Sequence, residues 1–144
     1  MGAATSLDRA SLGLLAGLLV GPLIAVGARV VMRVLALAGH RELQFTLRGN
    51  LEILGTVLVL NILGGILFIF VRPYLPNAGL LRGLIYGLAL LLTFGVLFFV
   101  VENAFGELAI GGPWLSISLF SLLFLAYGAL LEVAVTYLQA HPPT

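Results

Sequence analysis

Few residues in this sequence have the type and spacing to do chemistry, and the first two are a pair of arginines. Arg29 and Arg33 are four positions apart, so in a helix their side chains lie one turn apart and are neighbours on the helix surface. Together they could clamp an anion or a lipid phosphate. The alternative is that each side chain extends separately toward the polar boundary of an apolar environment. The sequence leaves both possibilities open.

Asn61 and Glu102 are polar residues placed within or at the end of apolar runs. Asn61 lies too far from either end of its run to reach water, so it must hydrogen-bond inside the fold or line a wet cavity. A hydrogen bond that joins two helices is the interpretation we favour. Glu102 ends an apolar run, and we expect it to pair with Arg29 or Arg33 across two helices.

Glu132 is the most suggestive acid, because it lies in an apolar run just before Tyr137. If its carboxylate pairs with Arg72 or Arg82, its role is structural. If it has no partner, burial would raise its pKa and it could carry protons. Both alternatives remain at this stage.

The sequence carries no pattern of a catalytic or metal site. It has no cysteine for a thiolate ligand and no lysine for a Schiff base. His40 and His141 are expected at opposite ends of the fold, and neither an HExxH motif nor a glycine-rich phosphate loop is present. We therefore expect no catalytic residue, no metal ion and no cofactor, and we do not expect an enzyme.

The composition indicates that lipid surrounds the elements that carry these residues. Of the 144 residues, 61% are hydrophobic and 9% are charged, against about 25% charged in an average soluble domain. A chain of this length has too small an interior to bury several helices that are apolar all round. The net charge of +1 gives no basic stripe for a nucleic acid. We expect a lipid bilayer as partner and no nucleic acid.

Four long apolar runs predict four transmembrane helices, at about 10–38, 51–72, 80–102 and 113–139. Asn50 is expected to cap the second helix, and prolines and glycines mark the connections. The connections are short, so residues 1–144 are expected to form one domain. The predicted fold class is all-α, a polytopic membrane protein built as an antiparallel four-transmembrane-helix bundle. Its expected location is the cell membrane, with cytoplasmic termini because Arg72 and Arg82 bracket a compact turn.

Gly13, Gly17 and Gly21 repeat at a spacing of four in the first helix. This spacing lets two helix backbones approach closely, and it predicts a helix-packing seam. The seam could face another helix of the same chain or a second copy of it.

The run Gly27–Arg33, followed by Gly39-His40 and by Phe45–Gly49, resembles a group of bacterial four-helix membrane proteins of uncharacterised activity. That resemblance covers most of the chain and implies the fold but no function. Gly55, Thr56 and Asn61 are similar to elements of the small fluoride channels. However, Thr93-Phe94 leads into Gly95-Val96 where that family has Thr-Thr-Phe-Ser, so fluoride transport is not transferred.

Two function classes follow from these observations. The first is an accessory or scaffold subunit that associates through helix packing, either with itself as a homo-oligomer or with another membrane subunit. The second is a small homo-oligomeric channel or transporter for an ion or small solute, which would use Arg29, Arg33, Asn61 and Glu132. The first is preferred because the polar groups are few, lie near helix ends and balance one another in charge.

Overall fold

A computed structural model of the chain describes residues 2–39, 47–105 and 113–141. Within these ranges the chain is helical apart from turns, and contains no strand. The four long helices are α1 (Gly2–Ala38), α2 (Leu47–Val71), α3 (Leu80–Phe105) and α4 (Pro113–Ala140), with a short 3-10 turn at Arg72–Tyr74. Each long helix contains a segment long and apolar enough to cross a membrane. An all-helical fold with four such helices is confirmed.

Two helices begin earlier than the positions expected from hydropathy. α1 begins at Gly2, although its apolar run starts at Ala10. Hydropathy marks only the apolar part of a helix, while good helix formers such as alanine extend it into polar sequence. α2 begins at Leu47, so the expectation that Asn50 caps this helix is wrong. Asn50 lies in the first turn, where its side-chain oxygen accepts a hydrogen bond from Arg29.

The connection between α2 and α3 is a tight turn set by its prolines and one glycine. Pro73 cannot continue the α-helix, and the chain passes through the 3-10 turn instead. Gly79 has a φ of 53°, a left-handed conformation that glycine adopts without the steric cost of a Cβ atom. The carbonyl of Gly79 then accepts a hydrogen bond from the backbone N–H of Arg82 at 3.0 Å, which starts α3.

The glycine series of α1 packs against α2 of the same chain. A Cβ atom added at Gly13 would lie 2.7 Å from the carbonyl oxygen of Gly65, and one added at Gly17 would lie 2.7 Å from that of Asn61. One added at Gly21 would lie 2.9 Å from the Leu58 side chain. Residue numbers rise along α1 as they fall along α2, so these two helices run in opposite directions. The seam that the spacing predicts is thus occupied within the chain.

A second glycine contact joins α3 to α4. A Cβ atom added at Gly83 would collide with the backbone of Gly128, and one added at Gly87 would collide with the backbone of Phe124. The two hairpins meet where α1 packs against α4 and where the Phe68 and Tyr86 rings of α2 and α3 lie 4.8 Å apart. The core between them is filled by buried apolar side chains, among them Ala16, Val20, Phe68, Leu131 and Val135.

Candidate functional site

A cluster of one glutamate and two arginines lies where α2 ends, α3 begins and α4 approaches its last turns. Arg72 donates from Nε to Glu132 Oε2 at 3.2 Å and from Nη2 to Glu132 Oε1 at 3.0 Å. Arg82 Nη1 donates to Glu132 Oε1 at 3.4 Å. The two-pronged contact with Arg72 is the geometry that makes arginine–carboxylate pairs both strong and directional. The structure therefore gives Glu132 two positive partners.

Burial distinguishes the members of this cluster. The side chains of Glu132 and Arg82 are 5% and 9% exposed, whereas that of Arg72 is 20% exposed. Ionised groups this far from water need a charged partner, because the loss of hydration is otherwise uncompensated. The arrangement matches the structural alternative that the sequence offered for this glutamate, in which Arg72 or Arg82 neutralises it.

Both arginines also bind neutral oxygens of neighbouring segments. Arg82 donates from Nε to the carbonyl oxygen of Pro76 at 3.2 Å and from Nη2 to Asn77 Oδ1. Arg72 Nη1 donates to Gln139 Oε1 at 3.1 Å. Arg82 thereby holds the turn before α3, and Arg72 ties the end of α2 to the end of α4. The cluster joins three helix ends.

A cavity of about 420 Å³ opens beside this cluster. Its polar lining comes from Arg9, Arg72, Asn77, Arg82 and Gln139. Its apolar lining includes Leu12, Ile69 and Leu75. The arginines form what we call the cationic wall of the cavity, and the hydrophobic side chains form its apolar wall.

Asn61 is buried in the middle of α2, with 5% of its surface exposed. Its side-chain Nδ2 donates to the Val57 carbonyl oxygen of its own helix at 2.6 Å. The bond to another helix comes from its backbone instead, where its carbonyl oxygen accepts from the Tyr127 hydroxyl at 2.8 Å. The expectation of a hydrogen bond inside the fold holds, but the side chain bonds within α2 and the backbone makes the link to α4.

Arg29 and Arg33 lie at the opposite end of the helices from this cluster. Arg29 is half-buried and bonds Asn50 of α2, while Arg33 is exposed on the next turn of α1. Glu102 lies in the last turn of α3, and its side chain falls outside the described part of the chain. The pair expected between Glu102 and one of these arginines therefore stays a prediction.

The cavity is also lined by Arg9, Asn77 and Gln139, which no sequence pattern marks as site residues. They come from three separate segments, and no local spacing connects them. Within the described residues no group of three or more metal-ligating side chains occurs.

No protein-family model, curated protein or solved structure was found to match this chain.

Proposed function

We propose that the chain is an integral membrane protein of the cell membrane, with its four helices inserted as an antiparallel bundle and its termini in the cytoplasm. Support comes from large apolar side chains that face outward on every long helix, among them Leu23, Leu63, Leu92 and Leu122. Water would solvate these surfaces poorly, whereas lipid matches them.

We further propose that the protein is an accessory or scaffold subunit of the membrane. The observation that carries this proposal is the pairing of the buried polar side chains. Asn61, Arg82 and Glu132 each bond to other groups of the chain, and no buried side-chain nitrogen or oxygen in the described part lacks a partner. Polar side chains that are bonded in this way stabilise the fold, which suits a subunit that acts through helix packing.

The partner surface follows from the same packing. Because Gly13 and Gly17 are covered by α2, and Gly83 and Gly87 by α4, these glycines are not available to another protein. A second copy of the chain or another membrane subunit would instead contact the outward apolar faces of the helices. Association in lipid then depends on van der Waals packing between those faces.

A channel or transporter is the second candidate, and the cavity beside Arg72 and Arg82 is the observation that favours it. A cationic cavity at one helix end could admit an anion. The interior beyond it is filled by Phe68 and Tyr86, both buried, so a pathway would have to form between copies of the chain.

Native mass spectrometry of the protein extracted in mild detergent tests the scaffold proposal. We expect this measurement to show a foreign membrane subunit at fixed stoichiometry or a homo-oligomer. In a separate assay, vesicles that contain the purified protein alone should show no solute flux. Solute flux in vesicles that contain the purified protein alone, abolished by Asn61→Leu but not by Thr93→Val, would contradict it. Thr93 is a suitable control because its exposed hydroxyl donates to the carbonyl oxygen of Ala89, one turn earlier in its own helix.

A further inference from the structure

The cavity beside the charged cluster has an excess of positive charge. Arg9, Arg72 and Arg82 line it, whereas Glu132, the carboxylate that contacts Arg72 and Arg82, is not part of the lining. Among the described residues, Arg9 makes no ion pair, and Asp8 beside it is exposed and does not line the cavity. Among the described residues, the three arginines at the cavity therefore exceed the one carboxylate that contacts them by two charges, and this excess favours an anionic occupant.

The polar side chains that line the cavity have N–H groups left over as donors. Each guanidinium has five N–H groups, and Arg72 and Arg82 each use three for bonds to described residues. The side-chain oxygens of Asn77 and Gln139 already accept from these arginines, so their amide NH₂ groups remain to donate. A ligand that supplies several acceptor oxygens with negative charge satisfies this wall, and a phosphate group is such a ligand.

The cavity also has an apolar wall. Leu12, Ile69 and Leu75 line it, from α1, α2 and the turn before α3. A free inorganic ion would leave this wall in contact with water, whereas an ester of phosphate with an apolar substituent would cover it. The volume of about 420 Å³ exceeds what one phosphate group fills and lies in the usual range for ligand pockets.

We propose that this cavity is a binding site for a phosphate ester, and that the phosphate headgroup of an anionic phospholipid is its natural occupant. The arginines hold the phosphate oxygens, and the apolar wall covers the start of the lipid chains. The choice of a lipid as the source rests on the proposed membrane location. The anion-binding chemistry of the cavity does not depend on it.

Two substitutions test the site without removing either inner arginine. Arg9→Gln removes one positive charge from a side chain that makes no ion pair to the described residues, so the fold should be unaffected. Asn77→Asp keeps the oxygen that accepts from Arg82 but puts a negative charge where the phosphate is proposed. Arg48→Gln is the matched control, because it removes the same charge from an exposed arginine of α2, outside the cavity.

The experiment is a native mass spectrometry titration of the purified protein in neutral detergent with phosphatidylglycerol. Phosphatidylcholine of the same acyl chains and inorganic phosphate are titrated in parallel. We expect phosphatidylglycerol to bind more tightly than phosphatidylcholine. Arg9→Gln should weaken its binding about fivefold, the effect of one arginine near an anionic headgroup, and Asn77→Asp should weaken it at least as much. Arg48→Gln should leave it unchanged.

The parallel arms identify the source of the phosphate. Displacement of the lipid by inorganic phosphate at comparable concentration would overturn the lipid as occupant. Equal binding of the two lipids, or equal effects of Arg9→Gln and Arg48→Gln, would overturn the site itself. The titration measures lipid binding to protein in detergent. A negative result would therefore contradict the phosphate site but would leave the proposed scaffold function standing.

Discussion

Removing the charge of Glu132 should destabilise the protein by an amount set by the burial of its partners. Glu132→Gln keeps the size of the side chain and one acceptor oxygen but leaves Arg72 and Arg82 without a counter-ion among the described residues. Breaking a buried ion pair in this way costs about 3–5 kcal/mol. We expect a loss of about 3 kcal/mol, near the lower limit, because Arg82 keeps Pro76 and Asn77 as acceptors and Arg72 is 20% exposed.

The chain offers a matched control in the pair of Arg48 and Glu52. These residues also form an arginine–glutamate contact, at 3.2 Å, but their side chains are 92% and 67% exposed. Glu52→Gln should therefore cost less than about 0.5 kcal/mol. The assay is the free energy of unfolding in a mixed-micelle titration with sodium dodecyl sulfate, followed by far-ultraviolet circular dichroism. Equal costs for Glu132→Gln and Glu52→Gln would refute the assignment of a buried, stabilising cluster.

The same assay tests two further contacts. Gly17→Ala should lower the free energy of unfolding by about 2 kcal/mol because the new methyl group would meet the backbone of α2. Gly55→Ala is the control, because Gly55 has open space around it and the change should be neutral or stabilising. Equal stabilities of the two alanine variants would contradict the packing seam. Tyr127→Phe should cost about 0.6–1 kcal/mol through loss of its bond to the Asn61 carbonyl. Tyr74→Phe, at an exposed ring, should cost nothing measurable, and a loss as large as that of Tyr127→Phe would argue against this bond.

The number and rough position of the helices could be predicted because apolar runs of this length have one common solution, a helix surrounded by lipid. The exact starts could not be predicted. Hydropathy does not report where a helix continues into polar sequence, as α1 does before Ala10. Nor does it show that Asn50 is already helical and bonds Arg29.

The candidate site was predictable only in part. The sequence marks Glu132 as an acid in an apolar run, with Arg72 or Arg82 as its possible partner. That both arginines bind it at once depends on the tight turn through Gly79, which brings the end of α2 and the start of α3 together. The cavity requires three separate segments to meet, and spacing along one helix carries no such information.

For Gly13, Gly17 and Gly21 the spacing predicted a seam but not its partner. A backbone surface made by small residues fits any helix that presents a similar surface, whether in the same chain or in another. The choice of α2 depends on Gly65, which lies opposite Gly13 when the two helices run in opposite directions. That complementarity appears only when both helices are placed together.

The most direct test of the membrane bundle uses the absence of cysteine from the sequence. Single cysteines are introduced as Gly39→Cys after α1, Ala78→Cys in the turn before α3 and His141→Cys after α4. Each variant is labelled with a membrane-impermeant maleimide in right-side-out and in inverted vesicles. Four antiparallel spans predict that Ala78→Cys and His141→Cys react from the cytoplasmic side and Gly39→Cys from the opposite side. Labelling of all three from one side would contradict the bundle in the membrane.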